Sequence, residues 1–312
     1  MKLVTIDAAP HRHPGMLVGE DQVLNLVQLG GFFPPARAIP ATVKGILGEG
    51  EPMLDLLRRI EEQARNLPDA LRPLSGTKFL APVPDPQIVL STGTAYRAHL
   101  AEMKVGAPKE PGGFLKNAAA IIGTGSPIVL PPQAPGMVDY EGEFSCVIGR
   151  ACHNVTADEA MAFVAGYTIV NDVSARDWVP GFLGAKGSPM EVSRAAGLNI
   201  LGKQFPTFCP IGPALVTAEE IPDPHDLQLT TRLNGKVMQS AHTGDLIFRL
   251  AETIAYFSRW YRFSPGDVIT TGSPDGVGYA RKPQVFMKHG DVVEVEVSRV
   301  GILRNPVMEA PK

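Results

Sequence analysis

The sequence predicts a mixed, strand-dominated fold: a large folded sheet or barrel, peripheral helices, and a small α+β unit at the N-terminal end. Three observations predict it. Apolar residues recur in short runs, many of them alternating with polar ones, which is the pattern of half-buried strands. Glycine (32) and proline (29) are abundant and fall between those runs as turn punctuation, as in SPIVLPP, ITTGSPDGVG and FSPGDV. Helical periodicity is confined to a few segments.

In chain order, residues 1–75 read as the small accessory unit, with strands at Lys2–Ile6 and QVLNLVQL. A helix follows from Pro52 to Ala64, where Met53, Leu56, Leu57, Ile60 and Ala64 share one face and Pro52 sits where a helix tolerates it. The stretch APVPDPQ (81–87) leads into the main domain, taken as 76–312. Strands are expected at Ile88–Leu90, Ile128–Leu130, Asp139–Ile148, Tyr167–Asp172, Leu227–Leu233, Asp267–Thr271 and Val292–Val297. One helix is expected from a Thr156 cap to Ala165, with Gly166 as its stop. A second, capped by Thr243, aligns Leu246, Ile247, Leu250, Ile254, Phe257 and Tyr261 and ends at the SPGD turn. Pro180 to Ile200 reads as a long Gly-bearing loop.

Composition narrows the function classes. Of 312 residues, 44% are hydrophobic and 20% charged, the range of an ordinary globular protein. A net charge of -3 gives no basic footprint for nucleic acid. Cys146, Cys152 and Cys209 form no CxxC and cannot all pair, which suits a reducing compartment, and a cytoplasmic location is expected. No apolar stretch reaches the roughly 18 residues of a membrane span, and the N-terminal segment is too polar for a signal peptide.

The segment VDYEGEFSCVIG (138–149) needs a chemical explanation. Strand side chains alternate, so Asp139, Glu141 and Glu143 point one way, with neighbours only about 7 Å apart. Apolar flanks put these carboxylates inside the protein, where uncompensated charge costs several kcal/mol per ion. A hard divalent cation removes that cost. A solvated acidic face is the plain alternative. A second acidic group favours the cation: GYTIVNDVSARDW (166–178) is an apolar run ending in Asp172, followed by Arg176, a residue suited to gripping a carboxylate.

These segments resemble signatures of the fumarylacetoacetate hydrolase superfamily. DYEGEFSCVIGR resembles its acidic strand, and GYTIVNDVSARDW the next signature. The likeness continues through LNGKVMQSAHTGDLIF (233–248), SPGDVITTGSPDGVG (264–278) and HGDVVEVEVSRVGILRNPV (289–307), with STGTAYRAHLAEM (91–103) upstream. It spans about Pro82 to Val307 and leaves the N-terminal unit uncovered. The resemblance implies the family's β-roll or folded-sheet catalytic domain, a homodimer, and a divalent ion, Mg²⁺, Mn²⁺ or Ca²⁺. Carried over by position, it implies Glu141, Glu143 and Asp172 as metal ligands, His99, Glu102 and Lys203 as catalytic residues, and Tyr96, Arg176, Gln239 and Ser273 as substrate contacts.

The implied chemistry is that of a small 2-oxo acid. Its carboxylate and keto oxygens can chelate the metal, which stabilises an enolate as a Lewis acid. His99, oriented by Glu102, can act as a general base. Lys203 and Arg176 can meet charge that develops in the transition state. The leading expectation is hydrolytic C–C cleavage of an acylpyruvate-like 1,3-diketo acid. Oxaloacetate-type decarboxylation, hydration of a 2-oxo-enoate and keto–enol isomerisation use the same apparatus, and a silent metal-binding protein is the alternative of another class. Departures from the family at Ala95 and Val179, and the long 180–200 segment, point away from fumarylacetoacetate itself as substrate.

Overall fold

The strand Gly142–Ile148 lies at the centre of the molecule and is buried along its whole length. In the computed structural model, which describes residues 1–31, 33–67, 70–93, 95–103 and 106–311, it belongs to a twelve-stranded sheet. Its neighbours there are Val164–Asn171 and Val268–Thr270, both antiparallel. A second sheet of five strands includes Gln228–Leu233, Val292–Val297 and Gly301–Glu309. Alternation then explains the packing. Phe144, Cys146 and Ile148 point into a core shared with Leu229, Val295 and Val297 of the second sheet. Val147 points the other way, into a core shared with Leu3, Met16, Leu24, Leu57 and Ile60 of the N-terminal segment.

Residues 1–75 join that same sheet, because Lys2–Ala8 pairs with Cys209–Thr217. Their helix, Glu51–Gln63, turns Met53, Leu57 and Ile60 inward at the expected spacing. No described helix is long and apolar enough to cross a membrane. The three cysteines are buried and unpaired.

Several expectations are corrected, each for a local reason. The run QVLNLVQL is a strand only to Asn25, whose side chain accepts from the amides of Val27 and Gln28 and starts a helical turn at Leu26. The helix after Thr156 is short, Ala157–Ala160 and then a 3₁₀ turn, because Val164 already pairs with Ile148. Thr243 opens a 3₁₀ turn, and the helix itself begins at Leu250. The strand expected over 139–148 is broken at Tyr140–Glu141 into Val138–Asp139 and Gly142–Ile148. Cys209–Thr217 is an unexpected strand, since Pro210 and Pro213 argue against a central position. It accommodates Pro213 in a bulge of its own, since Gly212 and Val216 lie opposite Ile169 and Tyr167. The largest correction concerns 180–200: it is a helical hairpin, Val179–Leu183 and Pro189–Leu201, rather than a loop. Its second helix starts at a capping box formed by Ser188 and Glu191, with Pro189 at the first helical position.

Candidate metal and substrate site

Pairing of two central strands assembles the acidic cluster. Gly142 lies opposite Asn171, and the Asp172 amide donates to the Glu141 carbonyl at 2.8 Å. Glu141 and Glu143 therefore share a face two residues apart, and Asp172 emerges beside them at the end of the neighbouring strand. One carboxylate oxygen from each lies within 4.8 Å of the others. The glycine between the glutamates is dictated by the opposite face: a Cβ on Gly142 would sit 2.2 Å from Thr231 Oγ1 and 2.8 Å from a Val295 methyl. Only a bare backbone lets the second sheet close against the strand at the point where it presents its carboxylates.

Asp139, expected on the same face, is turned elsewhere by the interruption of the strand at Tyr140–Glu141. It accepts from Arg176 Nε at 2.9 Å and from the amides of Gly278 and Tyr279 at 2.7 and 3.0 Å.

Basic groups surround the triad. Lys203 Nζ donates to Glu141 Oε2 at 2.5 Å and to Asp172 Oδ2 at 2.6 Å. Arg176 Nη2 donates to Glu141 Oε1 at 2.5 Å. Lys116, fully buried and not singled out from the sequence, pairs with Asp172 Oδ1 and donates to the Lys203 carbonyl at 2.8 Å. Ser91 Oγ donates to Asp172 Oδ2 at 3.1 Å. Burial pushes the Glu141 carboxyl up, but Arg176 and Lys203 outweigh it and hold it well below the usual carboxylate range. Burial likewise acts to lower Lys203, and Asp172 and Glu141 overcome it, leaving the ammonium more basic than usual.

Glu143 is the odd member. Burial first, and then Asp172 and Glu141, push its carboxyl well up, and its Oε2 atom has no hydrogen-bond partner. A buried carboxylate beside two others, with an orphaned oxygen, is costly as it stands. Three carboxylates, with no nitrogen or sulfur ligand grouped with them among the described residues, form the donor set of a hard divalent cation. The residues therefore fit Mg²⁺, Mn²⁺ or Ca²⁺.

Beside the triad lies a cavity of about 400 Å³, lined among others by Glu141, Arg176, His99 and Glu102. A larger depression of about 650 Å³, near Tyr256 and Arg259, contains none of the candidate residues. His99 and Glu102 sit on the helix Arg97–Met103, and their three-residue spacing puts His99 Nδ1 3.2 Å from Glu102 Oε2. Asp245 anchors the helix by accepting from the Ala98 amide, and Arg97 donates to the Asp245 and Leu246 carbonyls. Glu102 also accepts from the Gly276 amide at 3.2 Å. The glycine-rich segment 272–278 thus offers its amides to the protein's own carboxylates, Glu102 and Asp139, not to a phosphate.

The remaining candidates divide. Lys203 reaches the triad, because the hairpin returns through Gly202, whose carbonyl accepts from the Ala175 amide. Gln239 is buried and occupied internally: Nε2 donates to Ser273 Oγ and to the Pro274 carbonyl, and Oε1 accepts from the Gly142 amide. Gln239 and Ser273 thereby brace the backbone behind the triad. Tyr96 is fully buried in a small cluster with Ala95 and Leu246 and is not among the residues lining the cavity. The hairpin, by contrast, supplies Val179, Phe182, Leu183 and Asn199 to the cavity wall.

A buried carboxylate triad on the strand face turned away from the second sheet, beside a cavity that a helix-borne His–Glu pair also lines, marks the class of fold. The family model described as fumarylacetoacetate (FAA) hydrolase C-terminal matches residues 88–308, and the chain belongs to the fumarylacetoacetate hydrolase family. Among curated relatives, it is 41% identical over 311 residues to the oxaloacetate tautomerase FAHD2A, mitochondrial, of Homo sapiens, covering 99% of this chain and 92% of that protein. Among solved structures, it resembles 5-carboxymethyl-2-hydroxymuconate delta-isomerase from Mycobacterium smegmatis, with 31% identity and TM-score 0.73 over 99% of this chain and 100% of that one. It also resembles maleylpyruvate hydrolase from Sphingobium sp. SYK-6, solved with manganese (II) ion and pyruvate, with 27% identity, TM-score 0.76 and full coverage of both chains.

Proposed function

We propose that this chain is a divalent-metal-dependent enzyme acting at C2 and C3 of a small 2-oxo acid, and that it catalyses keto–enol tautomerisation of oxaloacetate. The observation that carries this reading is the single cavity that sets the His99–Glu102 pair against Glu141 and Arg176. The human relative named an oxaloacetate tautomerase supports the choice of substrate over the acylpyruvate expected from sequence.

Glu141, Glu143 and Asp172 would hold the cation, whose contribution when bound is Lewis-acid polarisation of the substrate's keto and carboxylate oxygens. The protein's own residues move the proton. Glu102 takes the Nδ1 side of His99 and fixes its tautomer, leaving Nε2 to accept the proton from C3 and pass it to the 2-oxygen, or, in the enol-to-keto direction, to take the O–H proton and deliver it to C3. Lys203 meets the negative charge that gathers on the 2-oxygen, and Arg176 the substrate carboxylate. Because proton transfer at C3 neither breaks a carbon–carbon bond nor consumes water, one base suffices.

A second reading, hydrolytic cleavage of an acylpyruvate-like acid, is favoured by the likeness to the maleylpyruvate hydrolase. There His99 would activate water instead. The test is the ultraviolet decay of enol-oxaloacetate with Mg²⁺ or Mn²⁺, with products followed by NMR. The expected result is accelerated equilibration with all four carbons retained. Carbon dioxide and pyruvate appearing at the same rate, or two acids released from acetylpyruvate but no action on oxaloacetate, would select a lyase or hydrolase instead. The homodimer implied by the family resemblance remains part of the proposal. The relative's name places that protein in mitochondria, so the cytoplasm gains no support from it, although a reducing compartment still suits three free cysteines.

A further inference from the structure

We infer that the outer part of this cavity, beyond the reach of a four-carbon acid, favours longer 2-oxo acids whose distal end is uncharged and apolar, and that Phe182 and Leu183 on the first hairpin helix set that preference. The inference rests on the 2-oxo acid reading above and adds the character of the substrate's far end. The cavity's about 400 Å³ falls within the roughly 300–1,000 Å³ of pockets that enclose drug-sized ligands, more than a four-carbon acid fills. Its ionic residues are His99, Glu102, Glu141 and Arg176, and Arg176, the one permanent cation among them, is assigned above to the carboxylate next to the 2-oxo group. The hairpin contributes Val179, Phe182, Leu183 and one amide, Asn199. Its ionisable residues Lys186, Glu191 and Arg194 are not among those lining the cavity, and Glu191 is occupied in capping Ser188.

The fold does not account for a phenylalanine and a leucine in this helix. Val179–Leu183 buries none of its side chains, and Leu183 is 70% exposed. A ligand seated against them would cover apolar surface that the protein leaves open. A distal carboxylate in the same place would shed its hydration with no cation to receive it. Oxaloacetate escapes that penalty because it is short, and its second carboxylate need not reach the hairpin.

The experiment is calorimetric titration of the Mn²⁺-loaded protein with a matched pair, 2-oxohexanoate and 2-oxoadipate, which have equal chain length and differ in the distal carboxylate. Oxaloacetate turnover is measured on the same samples. The six-carbon acid with the alkyl end should bind at least about tenfold tighter, the scale on which a pocket separates substrates by an apolar or polar group. Phe182→Ala combined with Leu183→Ser should bring the ratio of the two affinities close to one, and the ratio within each protein cancels any general loss. Leu183→Lys, at an exposed position, should favour 2-oxoadipate. A wild-type ratio of one or less, failure of both acids to bind, or a ratio indifferent to Leu183→Lys would overturn the inference. If the ratio behaves as expected but oxaloacetate is not turned over, the tautomerase reading fails while the apolar preference stands. If oxaloacetate is turned over and the ratio is one, only this inference fails.

Discussion

Replacing Glu143 with Gln is expected to weaken Mn²⁺ binding by more than about a hundredfold and to remove turnover, without making the metal-free protein less stable. Residues that only orient metal ligands are typically worth about 10–100-fold in affinity, so a direct ligand should exceed that. The stability half of the prediction comes from the asymmetry of the triad. Glu143 has an unpartnered buried oxygen and is repelled by Asp172 and Glu141, so an amide of the same volume relieves charge repulsion. Asp172→Asn should also abolish metal binding, but it strips Lys116 and Lys203 of a buried partner. Breaking a buried ion pair from one side costs about 3–5 kcal/mol. Thermal melting of the metal-free variants therefore separates them: unchanged or raised for Glu143→Gln, clearly lowered for Asp172→Asn. Equal melting temperatures would mean that the basic groups do not compensate the triad as described.

His99→Ala is expected to lower turnover by about 10²–10⁴-fold, the usual contribution of a general base, and to leave Mn²⁺ affinity unchanged. His99 faces the cavity without belonging to the acidic triad, and its one described side-chain contact is Glu102. Glu102→Gln keeps the shape but weakens the hold on the ring, so its loss should be smaller and should fall on kcat more than on KM. Loss of metal binding in His99→Ala would move that residue from base to ligand.

Much of the site is readable from local rules. Period-2 alternation puts Glu141 and Glu143 on one face, an apolar strand ending in Asp172 supplies the third carboxylate, and a three-residue spacing aligns His99 with Glu102. What alternation cannot reveal is where a strand breaks. Asp139 has the right parity, yet the interruption at Tyr140–Glu141 delivers it to Arg176 and the Gly278 and Tyr279 amides. Lys116 is one lysine in a short run, and nothing local distinguishes a lysine held beneath a carboxylate cluster from a solvated one. The hairpin was concealed by Gly181, Gly184, Gly187 and Gly197, which read as loop signals. Its start was nonetheless written in Ser188-Pro189 and Glu191, a capping box with proline at the first helical position. Prolines hid the Cys209–Thr217 strand in the same way, because the bulge that admits Pro213, between Gly212 and Val216, shows only in the pairing with Ile169 and Tyr167.

In the proposed mechanism Glu141, Glu143 and Asp172 hold one divalent cation on which the chemistry depends. The most direct test is a Mn²⁺ titration of chelator-stripped protein, with bound metal read by electron paramagnetic resonance and enol-oxaloacetate decay followed in the same samples. The stripped protein should be inactive, and activity should rise in proportion to bound Mn²⁺ until it saturates at one ion per chain. Full activity in the stripped protein, or Mn²⁺ bound equally well after Glu143→Gln, would contradict the mechanism.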